Sequence, residues 1–421
     1  MIKAKSIKIT ILLLASVMMI FISSYSFIFA KHSERNIIFY SNDHLDTTQV
    51  FNTDEKAMEK AKKYKEDGNL KFQSSILDVT NSSFMDFDSV AYPYETVRND
   101  KKLQLELQQA LSAGKKVYLY GDLSLTDYTN ALDTEIQMEI PSKDNKSYII
   151  DLTDNNDEKA DKKKRPQIKS LRDFQIIGLS KNTGDELRLL LMNIDVTVEN
   201  GSKVKPSSMI YLQSILQHEA KGIERVESKL LSINSAAAGN TIVKSSSAEI
   251  ISSAIYLSGT AGQIISQWLL SKNNDEIDST YDYFSLEDQV QYTQVDSGWD
   301  CEVAKAKHTL PYTSDEVWDS DPDDTNDGPF SISIGTPWFI SFNYTINTAP
   351  DINLTEDLVA DISTWDITDN AMESEDKHKF TTAWKSTGTL AAIDVYHYGK
   401  WHSGINVYTD TSQSFQISYD Y

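Results

Sequence analysis

Along the first third of the chain, short apolar runs alternate with longer amphipathic stretches. Ile37, Ile38, Phe39 and Tyr40 form one run, residues 90–92 a second and residues 117–120 a third, each bounded by polar positions. Runs this short predict buried strands; residues 76–79 read as one more. Between them Ala57, Met58, Ala61 and Tyr64 recur at helical spacing, with Thr53 or Asp54 placed to cap the start and Gly68 just past the end. Leu103, Leu107, Ala110 and Leu111 repeat that spacing between Asp100 and Gly114. Apolar segments at 174–179 and 187–198 complete the region, so the pattern predicts an α/β domain over residues 36–200. Ligands of such sheets gather beyond the carboxyl ends of the strands, which here points at Ser41, Asn42, Asp43, Gly121 and Asp122. Residues 143–169 are dense in acids and then in lysines, and are predicted to be a solvated loop.

The period changes after residue 205. Leu212, Ile215, Leu216, Ile223, Val226 and Leu230 mark one face of a long helix, with Ser207 or Ser208 at its start. Ile250, Ala254, Leu257, Ala261, Ile264 and Trp268 keep helical spacing through a charge-poor stretch rich in Ser, Ala and Gly. A helical segment is therefore predicted over 205–272. From residue 280 onward the alternation becomes two-fold and aromatic: six of the seven tryptophans follow residue 298. Several short alternating strands predict an antiparallel β-sandwich over 280–421. The fold class read from the pattern is α+β and multi-domain: an N-terminal α/β region, a central helical segment and a C-terminal antiparallel β-sandwich.

The first thirty residues add a targeting signal. Lys3, Lys5 and Lys8 precede the apolar run 9–22, and Ser23, Ser24, Tyr25 and Ser26 follow it. This is the layout of a signal peptide, and its uncharged length also suits an N-terminal anchor that is retained. Either way the remainder is expected outside the cytoplasm, secreted or anchored to a membrane and facing outward. The net charge is −22, and loss of the leader, with three lysines and no acid, deepens it by three. Such a surface repels phosphate backbones, so nucleic acid is excluded as a partner. The lone Cys301 permits no internal disulfide and is read as a small buried hydrophobe.

Three residue groups suggest chemistry. Asp319, Asp321, Asp323 and Asp327 supply closely spaced oxygen ligands, which makes calcium the one cofactor the sequence suggests, although the spacing departs from a helix-loop-helix calcium loop. Tyr398-Gly399-Lys400-Trp401 is read as a two-residue hairpin turn. That turn would set His397 opposite His402, a pair within reach of a shared metal ion. Trp365, Trp384, Tyr396, Tyr398 and Trp401 are candidates for an exposed aromatic platform that stacks on sugar rings. No nucleophile elbow, zinc-protease helix or phosphate loop is present in the sequence. The expected function is therefore non-catalytic binding through the C-terminal β domain, to a cell-surface glycan or protein. The alternatives are a membrane-active protein that inserts residues 232–270, and an extracellular hydrolase using an acid pair.

Overall fold

A computed structural model of the chain describes residues 35–51, 56–76, 84–134, 137–140, 148–151, 167–170, 173–181, 187–228, 241–244, 248–272, 280–321, 352–367, 377–404 and 406–420. The leader and most of the charged stretch 143–169 lie outside these residues. The described chain is mostly β with few helices, arranged as a large mixed sheet and a smaller antiparallel one.

Strands β1 (Arg35–Ser41), β2 (Leu70–Ile76), β3 (Ser89–Pro93) and β4 (Lys116–Leu123) run parallel in the order β2-β1-β3-β4. Helix α1 (Lys56–Glu66) joins the first two. Helices α2 (Tyr94–Val97) and α3 (Lys101–Ser112) precede β4, and α4 (Leu125–Leu132) follows it. The predicted start of α3 holds: the Asp100 carboxylate accepts from the backbone N–H of Lys102 and of Leu103, both at 3.0 Å. Helix α4 was not anticipated, yet Ser124 and Asp127 form a reciprocal capping box at its start.

Strands β5 (Gln137–Ile140) and β6 (Tyr148–Asp151) form a separate antiparallel pair. After β7 (Gln167–Ser170), strands β8 (Phe174–Lys181) and β9 (Leu187–Thr197) extend the large sheet antiparallel to β4. Short β10 (Lys203–Val204) pairs with β9 and leads into α5 (Ser208–Ser228), the predicted long helix.

The helical reading of the rest of 205–272 is corrected. Thr241–Lys244 (β11), Ala248–Tyr256 (β12) and Gly259–Lys272 (β13) are strands, with β12 parallel to β9 and antiparallel to β13. Both faces of this part of the sheet are covered. Ile250, Ala254 and Ile264 face one side while Ile251 and Ile255 pack beneath α5 on the other. A strand buried on both faces shows no two-fold alternation, and its apolar residues then mimic helical spacing by chance. The described part of the stretch expected as a membrane-inserting hairpin is therefore strand and not helix, and Ile255 and Ile264 are core residues of a central strand pair. Residues 232–240 and 245–247 of that stretch lie outside the described residues.

Strand β14 (Asp282–Gln294) pairs with β13. Strands β15 (Asp300–Thr309) and β16 (Asp315–Asp321) are followed by β17 (Ile352–Asp357), β18 (Ile362–Ile367), β19 (Lys377–Ser386), β20 (Leu390–Ser403) and β21 (Val407–Asp420). The large sheet runs β16-β19-β14-β13-β12-β9-β8-β4-β3-β1-β2, and five antiparallel strands β17-β18-β15-β20-β21, edged by β7, form the second sheet.

One sheet thus serves both regions. Helices α1 and α5 cover one face of its parallel half. On the other face, α3 and α4 and then the second sheet share a continuous core that includes Leu107, Tyr128, Trp268, Phe284, Val395 and Phe415. Because β1 is covered on both sides, Ile38 and Tyr40 enter this core while Ile37 and Phe39 enter the helical one.

The proposed turn at Gly399-Lys400 is not a turn, since β20 continues through it to Ser403. Gly399 is required for a different reason. The indole of Trp401 lies between Gly399 and Gly262 of the facing sheet, and a Cβ at either position would overlap the ring. Gly262→Ala is expected to cost about 1–3 kcal/mol through this overpacking. Urea unfolding of Gly262→Ala in wild-type and Trp401→Leu backgrounds checks it, since the penalty shrinks where the ring is gone.

Candidate functional site

The interface between the two sheets holds a buried polar chain. Asp288 sits on β14 in the inward phase defined by Phe284, Leu286, Val290 and Tyr292. Its Oδ2 lies 2.5 Å from His397 Nε2 on β20 and 3.5 Å from His308 Nε2 on β15. His397 Nδ1 is 3.0 Å from Gln413 Oε1, and the Gln413 amide nitrogen donates to the carbonyls of Ile250 and Ile264, each at 3.0 Å. Those two carbonyls fix the amide orientation, so Oε1 faces the imidazole as an acceptor. His397 therefore donates from both ring nitrogens, which only the imidazolium does. Burial opposes this charge, but the Asp288 carboxylate overrides it and raises the His397 pKa. Burial likewise pushes the Asp288 carboxyl up, and the two imidazoles more than reverse that, holding it below the usual carboxylate range.

His308 behaves oppositely. Burial lowers its pKa beyond what Asp288 restores. Its Nδ1 is 2.8 Å from the Thr382 hydroxyl, which continues through Ser320 at 3.4 Å to Ser363, 2.6 Å further on. Hydroxyl, imidazole and carboxylate in series are the ingredients of an activated nucleophile. Here all of them are buried, so they join the sheets rather than meet a substrate.

A second charged cluster lies at the amino ends of the parallel strands. Glu219 of α5 is fully buried, and its Oε1 accepts from the Tyr118 hydroxyl at 2.5 Å and the Ser89 hydroxyl at 3.1 Å. Lys116 Nζ lies 2.9 Å from the same oxygen, and Arg35 Nε is 4.0 Å from Oε2. Burial raises the carboxyl pKa, but Lys116, Arg35, His218 and Tyr118 together bring it far below the ordinary range. At the opposite, carboxyl ends, Asp43 accepts from the Ser208 hydroxyl at 3.1 Å and Asp122 pairs with Lys205 at 2.7 Å. Of the residues expected to receive a ligand there, Asp43 and Asp122 contact the entry to α5.

The other candidates separate by face. Trp365, Trp384 and Trp401 are fully buried core rings and cannot form an exposed platform. Tyr396 and Tyr398 occupy alternate positions on the outer face of β20, where they are half-buried. His397 and His402 are five residues apart on one continuous strand and so point to opposite faces; the metal pair is not formed. Asp319 and Asp321 belong to strand β16 rather than to a loop, and Asp323 and Asp327 lie outside the described residues. Among the described residues no three His, Cys, Asp or Glu side chains are grouped to hold a metal ion. Cys301 is buried, and burial pushes its thiol up to about 12.

The outer face of the second sheet carries the open polar and aromatic surface. Lys305 pairs with Asp366 and Lys400 with Glu302, both at 2.6 Å. Lys307 lies over Tyr396 and Lys400 over Tyr408, at 5.5 and 4.2 Å from the ring centroids. The Tyr398 hydroxyl donates to Asp410, 3.2 Å away. Partial burial and that acid push the Tyr398 pKa up to about 12. Tyr396, Tyr398 and Tyr408 are thus each held by a charged neighbour.

No family model and no curated protein matches the chain. Among solved structures it has a distant similarity to the Clostridium perfringens NetB toxin in the membrane-inserted form, at 8% identity over 44% of this chain and 95% of that one, with a TM-score of 0.21. A structure described as a pore forming protein gives 11% identity over 42% and 94%, with a TM-score of 0.23. The cohesin module of a Clostridium perfringens family 33 glycoside hydrolase gives 7% identity over 31% and 82%, with a TM-score of 0.19. The similarity to these β-rich proteins is too distant to assign a specific function.

Proposed function

We propose that this chain is an exported, non-catalytic recognition protein that contacts a cell-surface glycan or protein through the outer face of β15, β20 and β21. The observation that supports it is the set Tyr396, Tyr398 and Tyr408, held on that face by Lys307, Asp410 and Lys400. Tyrosine offers a large amphipathic contact at low conformational cost, and charged neighbours that fix the ring reduce that cost further. The strongly perturbed carboxylates and imidazoles are sealed in the core, where they stabilise the scaffold behind this face.

The test is binding of the full chain to a glycan array and to intact cells, compared with Tyr396→Ala/Tyr398→Ala/Tyr408→Ala. These side chains lie outside the core, so the triple variant is expected to fold and to lose at least about tenfold in affinity. Equal binding by the triple variant, measured with circular dichroism to establish equal folding, would overturn the reading.

A further inference from the structure

The large sheet exposes an indole on the edge opposite its parallel half. Trp318 is 42% exposed, whereas Trp268, Trp299, Trp365, Trp384 and Trp401 are each 7% exposed or less. It sits at a β-bulge: Val317 pairs with Trp384 and Asp319 with Ala383, leaving Trp318 without an opposed residue on β19. Bulges near sheet edges re-aim a side chain in this way. The ring is braced as well as exposed. Tyr283 meets it edge-on, with centroids 5.9 Å apart and planes at 81°, and Lys385 Nζ lies 5.4 Å from its centroid. Lys385 is itself held by Glu316 at 3.0 Å and lies 4.9 Å from the Tyr281 ring centroid.

The ligand follows from this chemistry. A fixed flat apolar surface beside one donor and one acceptor fits a molecule with an apolar ring face and a rim of hydroxyls. The Lys385–Glu316 pair adds no net charge, which favours a neutral ligand. Nucleotides also stack on indole, but their phosphates are repelled by a chain of net charge −22. We propose that Trp318, with Lys385 and Glu316, binds a neutral hexopyranose ring of a polysaccharide or glycan. This site lies on the large sheet and does not depend on the tyrosine face of the second sheet.

Soluble gluco-, manno-, galacto- and chito-hexaoses are the probes, titrated against the full chain by calorimetry and by tryptophan fluorescence. At least one is expected to bind and to change the fluorescence. Trp318→Ala is then expected to weaken binding about tenfold or more, and Trp318→Phe to retain part of it. Trp318 is outside the core, so circular dichroism should be unchanged in both variants. The Tyr396→Ala/Tyr398→Ala/Tyr408→Ala chain should bind the same hexaose normally. The proposal is overturned if no hexaose binds, if Trp318→Ala binds as tightly as wild type, or if only the tyrosine variant loses binding. Failure of the tyrosine-face reading, seen as unaltered cell binding by that variant, leaves the Trp318 result standing.

Discussion

Asp288→Asn is expected to destabilise the protein by about 3–5 kcal/mol, the usual cost of removing one member of a buried ion pair. The substitution keeps the size of the side chain but leaves the His397 imidazolium without its counter-charge between the two sheets. In urea the midpoint should fall by about 1 M or more. The pH profile separates lost charge from lost packing. The folded pKa of His397 is raised, so its stabilisation is complete below the unfolded value of about 6.5 and is lost as pH rises through the folded value. Asp288 is depressed, so its contribution is complete above the unfolded value of about 4 and is lost as pH falls through the folded one. His308 is also depressed, and burial brings His378 down to about 4; both destabilise the fold as pH falls below about 6.5. Wild-type stability should therefore decline on both sides of a maximum. Asp288→Asn should weaken or lose the decline on the alkaline side, because the carboxylate that chiefly raises His397 is gone and only the Gln413 hydrogen bond still favours the charged ring against burial. An unchanged alkaline limb in the variant would show that the pair does not hold the sheets together.

Much of this architecture was legible where an apolar run was short, continuous and bounded by polar residues, where strands alternated two-fold, or where a cap was explicit. The β1, β3 and β4 runs, the Asp100 cap and Gly114 just past the end of α3, and the two-fold alternation of the C-terminal sheet all act locally, within a few residues. The failures came from tertiary context. β12 and β13 are covered on both faces, which erased the two-fold signal and left spacings that imitate a helix. Gly399 carries the local signature of a turn residue, although its role is to admit the Trp401 ring from the same strand. The aromatic candidates were the right residue types, but burial sorts them: β20 sends Trp401 inward and Tyr396 and Tyr398 outward.

The charged clusters did leave a trace that was not read. Asp288 interrupts the inward series Phe284, Leu286, Val290 and Tyr292, and His397 follows Ile393 and Val395 in the same phase. Glu219 falls among Leu212, Ile215 and Leu216 on the apolar face of α5. A charged residue in a buried phase requires a partner. Its identity cannot be read locally, since Glu219 is met by Ser89, Lys116 and Tyr118 from two distant strands.

Glu219→Ala is expected to be as damaging as the change at Asp288, about 3–5 kcal/mol, but in a different place. It removes the common acceptor of Tyr118, Ser89 and Lys116 at once and leaves a mostly buried ammonium group without its closest counter-ion. This carboxylate ties helix α5 to the amino ends of β3 and β4, so hydrogen exchange should accelerate along α5 and α1 before the strands of the second sheet respond. The folded pKa of Glu219 is depressed, so its stabilisation is present above about 4 and is lost as pH falls through the folded value. Acid alone should therefore loosen α5 in the wild type and have less effect on the variant. Glu219→Met/Lys116→Met supplies the decisive comparison. Replacing both ends of a buried pair with apolar groups of similar size is often neutral, whereas removing one end is not. The double variant should therefore recover most of the stability lost by Glu219→Ala. If it stays as unstable as the single variant, the buried hydrogen bonds from Tyr118 and Ser89, rather than the charge pair, fix the helix to the sheet.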